Sequence, residues 1–218
     1  MLINRRMVLC CLVIVTLSGL ANARSRRMTD GAPQPPVVAQ ISVCFVPAQE
    51  CGNQIVAAIT EAKRSIRVQA YGFTAPPILE ALAAAQARGV DVQAILDKSN
   101  DVADRTDRFD VDNGRSRTFG AAFTARANIP TWIDDGVAIA HNKVIVIDEV
   151  LVIGGSYNYT HSAEHRNAEN VTFTQSADIA RMFLDNWEAR RAVSRPSRYA
   201  VGAVPSAPDR LAAARPDR

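Results

Sequence analysis

The sequence predicts an α/β fold, an α+β/α sandwich whose mixed, largely parallel β-sheet is flanked by helices. Three observations carry the expectation. Residues 40–97 alternate strand, helix, strand, helix, strand, and a helical crossover sets the strands on either side of it parallel. Residues 140–160 read as two adjoining apolar strands. Residues 176–193 then read as a closing helix with apolar residues at helical spacing.

In order, "QISVCFV" is the first strand. "CGNQIVAAITEAKR" sets Ile55, Val56, Ile59 and Ala62 on one helical face. "SIRVQAYGFT" alternates as a strand. "APPILEALAAAQARG" is a helix, with proline in its first turn and Gly89 as its stop. "VDVQAIL" is the third strand. Residues 98–118, rich in Asp and Arg, read as a surface loop with at most a turn of helix. "FGAAFTARA" is a short helix and "IPTWI" a short strand. After the two strands of 140–160 comes "AENVTFT", another strand. The closing helix turns Ile179, Met182, Phe183 and Trp187 inward. Trp132 and Trp187 read as packing residues.

The ends are of another kind. "MLINRR" is a basic start, "MVLCCLVIVTLSGL" an uncharged run of 14 residues, and "ANA" a small-x-small cleavage site. Together they predict a secretory signal peptide over residues 1–23, with an uncleaved anchor as the competing reading. Residues 24–39 read as a flexible lead-in, 40–193 as the folded domain and 194–218 as a disordered tail of Pro, Ala and Arg. The protein is expected outside the cytoplasm, in the periplasm, with no stable membrane insertion after cleavage. The formal net charge is +3, and loss of Arg5 and Arg6 with the signal leaves +1. Binding of nucleic acid therefore has to rest on local charge. Export favours a disulfide between Cys44 and Cys51; the alternative is two unpaired buried thiols. Neither zinc nor calcium spacing occurs, nor a Cys-x-x-Cys pair, and no metal or other cofactor is expected.

The chemistry gathers in "AHNKVIVIDEVLVIGGSYNYT". Strand alternation puts His141, Lys143 and Ile145 on one face, and Asn142, Val144 and Val146 on the other. A histidine and a lysine two apart at a strand end can touch one bound group. The turn after the next strand brings Ser156 and Asn158 to the same neighbourhood. One nucleophile or base, one fixed cation and two neutral hydrogen-bonding groups suit a tetrahedral anion such as phosphate.

His141-x-Lys143-x4-Asp148 followed by Gly155-Ser156-x-Asn158 resembles the phospholipase D superfamily, and most nearly its small, exported, single-motif bacterial nucleases. The likeness runs from about 41 to 193 and includes "SIRVQAYGFT", "ALAAAQARGVDVQAILD" and "SAEHRNAENVTF"; the stretch 98–118 matches poorly. The resemblance implies the phospholipase D/nuclease fold. It also implies that His141 attacks phosphorus to form a phosphohistidine and that Lys143 and Asn158 bind phosphate oxygens. Ser156 assists, and Glu169 orients His141. Asp148 belongs to the motif, but by its face of the strand it is expected to act structurally or behind the site.

A second proton-transferring histidine is missing from the motif. The family's answer is a homodimer with two copies of His141 at the shared site. The rival is a proton from His161 or His165 within one chain. The reading is thus a metal-independent phosphodiesterase, a non-specific endonuclease that cuts with little sequence preference, with DNA as substrate and RNA as a second. The alternatives are a phospholipase D or phosphatidyl transferase using the same chemistry, and an inactive homologue that binds phosphate or nucleic acid.

Overall fold

The computed structural model describes residues 37–101 and 120–199. The expected signal peptide, most of the lead-in, the loop 102–118 and the tail from residue 200 lie outside the described residues.

Eight strands form one sheet in the order β1-β7-β6-β5-β2-β3-β4-β8. The strands are β1 (Gln40–Val46), β2 (Ser65–Ala70), β3 (Asp91–Asp97), β4 (Thr131–Asp134), β5 (Lys143–Ile147), β6 (Leu151–Gly155), β7 (Glu169–Gln175) and β8 (Arg195–Pro196). The helices are α1 (Cys51–Glu61), α2 (Pro76–Ala87), α3 (Gly120–Arg126), α4 (His161–His165) and α5 (Ala177–Val193). A 3-10 turn at Lys98–Asn100 follows β3.

The sheet is mixed, as expected, but antiparallel pairing predominates. Only β2–β3 and β3–β4 are parallel. The five other pairings are antiparallel. The α1 crossover makes β1 and β2 run the same way without making them neighbours. β5, β6 and β7, which arrive later in sequence as a meander, fill the space between them. The three-residue β5–β6 turn carries Asp148 and Glu149 at φ 52° and 62°, the left-handed geometry found in tight hairpin turns.

The main core lies on one face of the sheet. Ile55 and Ile59 of α1 and Ile78, Leu79 and Leu82 of α2 bury against Ile66, Val68, Val92, Leu96, Ile145 and Ile153. The α5 helix covers the opposite face with Ala180, Ile179, Phe183 and Leu184 against Val144, Val146 and Val152. Trp187 is buried there, donates Nε1–H to the Val68 carbonyl at 3.0 Å and meets Trp132 edge-on. Met182 is not inward: it is 63% exposed. The buried stripe of α5 runs through Ala180, Phe183, Leu184 and Trp187, at i, i+3, i+4 and i+7, and Met182 falls off it.

Cys44 and Cys51 form a disulfide, and both are buried. It fastens the start of α1 to the end of β1. At the other end, regular structure continues past residue 193. β8 pairs with β4, and buried Asp101 accepts hydrogen bonds from Arg195 at 2.7 Å and from the Ser197 hydroxyl at 3.0 Å. That anchor is ionic rather than apolar, so the expected domain end at 193 is too early.

Candidate active site

The directions of the strands define the site. β1, β2, β3, β4 and β6 run one way, and β5 and β7 run the other. The ends of β2 and β6 and the starts of β5 and β7 therefore meet at one edge of the sheet. His141, Lys143, Ser156, Asn158 and Glu169 all fall on that edge.

β5 begins at Lys143, opposite Ala70 of β2, and the next residue of the β2 strand, Tyr71, donates its amide to the Asn142 carbonyl. After β6 the chain crosses the start of β5 to reach the continuation of β2. There the Tyr159 amide donates to the Gly72 carbonyl at 3.0 Å, and the Thr74 amide donates to the Tyr159 carbonyl at 2.7 Å. This crossing lays Asn158 beside Gly72, whose amide donates to Asn158 Oδ1 at 3.4 Å. A Cβ at Gly72 would stand 2.9 Å from Thr160 Cγ2 and 3.1 Å from Asn158 Cβ, so the close approach needs glycine.

His141 is exposed, just before β5. Its ring lies edge-on to Tyr71, with centroids 4.9 Å apart. Among the described residues, neither ring nitrogen of His141 is hydrogen-bonded. The loop ahead of it is fixed by buried Asp97, whose carboxylate accepts from the Ala140 amide at 2.9 Å. Burial works against that charge. Hydrogen bonds from Ser99 and Ala140, with Lys98 close by, outweigh it and hold the Asp97 carboxyl below the usual carboxylate range.

Lys143 is buried, with Nζ donating to the His141 carbonyl at 2.9 Å and lying 5.3 Å from the centre of the Tyr71 ring. Burial pulls its pKa down, opposed in part by the Glu169 carboxylate. Glu169 is occupied on both oxygens: Ser156 Oγ donates to one at 2.5 Å and Asn167 Nδ2 to the other at 2.8 Å. The expected orienting bond from Glu169 to His141 is thus absent among the described residues; the carboxylate aligns the Ser156 turn instead. Ser156 Oγ also accepts from the Asn170 amide at 3.1 Å. Gly155 precedes it at φ 146°, where a Cβ would collide with the Asn170 carbonyl.

Asp148 sits at the opposite end of β5 and is not part of this cluster. Its carboxylate accepts from the amides of Lys63, Arg64 and Ser65 at 2.7–2.9 Å, tying the β5–β6 turn to the α1–β2 junction. Burial opposes the charge, and the three amides with the Arg64 guanidinium overcome it and lower the carboxyl below its ordinary range. These bonds hold Asp148 away from the edge that carries His141 and Lys143, so the motif aspartate takes no part in the cluster there.

Sequence reasoning missed Tyr71 and Gly72 as parts of the site and Asn167 as a partner of Glu169. The "YG" pair closing the second strand carried the one available signal, a tyrosine and a glycine where a buried strand had no need of either. His161 and His165 lie on α4, with ring centroids 4.3 Å apart. They face a separate cleft whose lining excludes His141. An exposed imidazole and a buried ammonium, with serine and asparagine on the adjoining turn, present a nucleophile and donors to a group with several anionic oxygens.

The family profile described as "Cardiolipin synthase, PLD-like domain" matches residues 55–190. "Phospholipase D" of Rickettsia bellii (strain RML369-C) is 40% identical over 154 residues, covering 70% of each chain. Among solved structures, the phospholipase D family member Nuc from Salmonella typhimurium is 35% identical, with a TM-score of 0.63, over 74% of this chain and 99% of its own. NucT from Helicobacter pylori shares the fold at 19% identity and a TM-score of 0.58, over 73% of this chain and 99% of its own. Fold and profile together define a phosphodiesterase. The chain belongs to the PLD-like domain family of the phospholipase D superfamily.

Proposed function

We propose that the protein is an exported, metal-independent endonuclease that cuts DNA, and RNA as a second substrate, with a homodimer as its working form. The observation that carries the reading is the convergence of His141, Lys143, Ser156 and Asn158 on one sheet edge, with Asn158 laid there by the crossing beside Gly72.

In this reading a free ring nitrogen of His141 attacks phosphorus of the scissile diester. The bond to the first alcohol breaks and that oxygen takes a proton, while the phosphoryl group stays on His141. Water then attacks the phosphohistidine and releases the second product with the histidine regenerated. Lys143 and Asn158 hold the non-bridging oxygens, where charge gathers in the transition state. Ser156, held by Glu169, aids them.

The first step needs an acid beside the nucleophile, and within one chain His161 and His165 line a separate cleft that does not include His141. A second copy of His141 across a twofold axis supplies it. Exposed apolar side chains border the edge on both sides: Val137 and Ile139 ahead of His141, and Phe45, whose strand partner Asn170 adjoins Glu169. A second subunit would cover them. The disulfide fits an exported protein.

The likeness to Nuc over nearly the whole of that chain, together with the single motif, favours nucleic acid. The Rickettsia relatives carry the name phospholipase D, which supports lipid diesters as the second reading. Purified protein incubated in EDTA with plasmid and with phospholipid vesicles separates the two. Plasmid cleavage with intact vesicles is expected; vesicle cleavage with intact plasmid would overturn the nuclease reading. An inactive binding homologue would leave both substrates whole.

A further inference from the structure

We propose that the cleft beside α4 is a nucleobase subsite that holds the base flanking the scissile phosphate and selects bases bearing an exocyclic amino group. The proposal rests on the nuclease reading above. The cleft measures about 650 Å³, within the range of small-ligand sites.

Its position follows from the topology. Pro47 follows β1 and Pro76 follows the continuation of β2, so both walls rise from the edge that carries His141 and Lys143. The segment 156–165 links the two places. Asn158 lies on the phosphate side and His161 on the cleft side. Their Cα atoms are three residues apart and within about 11 Å, a span of about one or two nucleotides.

Its lining suits a flat, uncharged ring. Pro47, Pro76 and Pro77 give apolar surface, and the paired rings of His161 and His165 give π faces for stacking. Glu164 accepts from the Gly52 amide at 2.9 Å and from the Tyr157 hydroxyl at 2.8 Å, so it builds the wall rather than meeting a ligand. Burial first, and the bond to Glu164 second, push the Tyr157 hydroxyl up and keep it a neutral donor.

The remaining carboxylates, Glu50 and Glu80, lie exposed on the rim. They disfavour a second phosphate and a bare fatty chain alike. A carboxylate only accepts hydrogen bonds; adenine, cytosine and guanine offer exocyclic amino donors, whereas thymine and uracil offer an imide N3–H flanked by two carbonyls that a carboxylate repels.

The test is digestion of a fully randomised single-stranded oligonucleotide by the full chain, with sequencing of the cut ends. Bis(p-nitrophenyl) phosphate, a diester without bases, is assayed in parallel. Wild type should disfavour thymine by about fivefold at one fixed position within two nucleotides of the cut. A His161→Ala/His165→Ala variant should flatten that bias and raise KM for the oligonucleotide, with the rate on the small diester unchanged. Glu80→Gln, a mild surface change, should weaken the bias against thymine by itself. A flat wild-type profile overturns the proposal, as does a bias that survives both variants. Failure to cut any oligonucleotide while vesicles are hydrolysed removes the nuclease reading and the subsite with it.

Discussion

The Lys143 ammonium donates to the backbone carbonyl of His141 at 2.9 Å, so the motif's lysine is braced by the motif's histidine. Burial of Lys143 beneath Tyr71 makes this bond matter, because a buried ammonium without partners is costly. Lys143→Met should lower kcat on a diester by about 100-fold or more, the scale of losing one fixed transition-state donor. Lys143→Arg should not restore it, because a planar guanidinium does not fit a point-charge site. Steady-state rates on bis(p-nitrophenyl) phosphate check both variants.

Gly155→Ala tests the turn that presents Ser156. With φ at 146° and the Asn170 carbonyl in the way of any Cβ, the change should cost about 1–3 kcal/mol of stability. Activity should fall as well, because Ser156 and its bond to Glu169 shift with the turn. Denaturant melts and rates measured on the same preparation separate the two effects. Unchanged stability would show that the turn can move aside.

Asp148→Ala should behave in the opposite way, lowering stability by about 1–3 kcal/mol and leaving kcat near wild type. Three amides depend on that carboxylate, and none of them is at the catalytic edge. The pH dependence has a definite sign. The folded-state pKa is lowered, so the stabilisation is fully present above the ordinary carboxylate pKa and is lost as pH falls through the lowered value. Wild type and variant should therefore converge in strong acid and differ by the full amount at any pH above the ordinary carboxylate pKa. Urea midpoints across that range are the measurement.

Replacing Cys44 and Cys51 together by alanine should cost about 2–3 kcal/mol, from the entropy of a loop with a sequence separation of 7. Because the bond fastens α1 to β1 on the core side, the kcat of the folded variant should stay close to wild type. A reductant titration of the wild-type melting temperature should show a fall of matching size.

The core elements were legible because their physics is periodic. β1 spans the stretch read as the first strand, and α1 buries Ile55 and Ile59, which their spacing sets on one face. The sheet's balance of directions was not legible. A crossover helix fixes the direction of the next strand but not its neighbour, so β5, β6 and β7 could enter between β1 and β2 unannounced. β8 escaped notice because Arg195 and Ser197 are held by buried Asp101, and ion pairs leave no hydrophobic period. At the site, the motif spacing named His141, Lys143, Ser156 and Asn158. Tyr71 and Gly72 are joined to them only by strand pairing across a long loop of chain, which spacing does not encode. The Glu169 contact was misassigned for a similar reason: sequence places a carboxylate near the edge but does not choose between Ser156 and His141 as its partner.

The central claim is that His141 becomes covalently bonded to phosphorus. Rapid alkaline quench of the enzyme turning over a diester in EDTA, followed by digestion and mass spectrometry, tests it directly. The account predicts a phosphorylated adduct on the peptide containing His141, at a level that rises with turnover and vanishes in His141→Ala. Full turnover with no adduct on that peptide, or an adduct on His161 or His165 in its place, would contradict it.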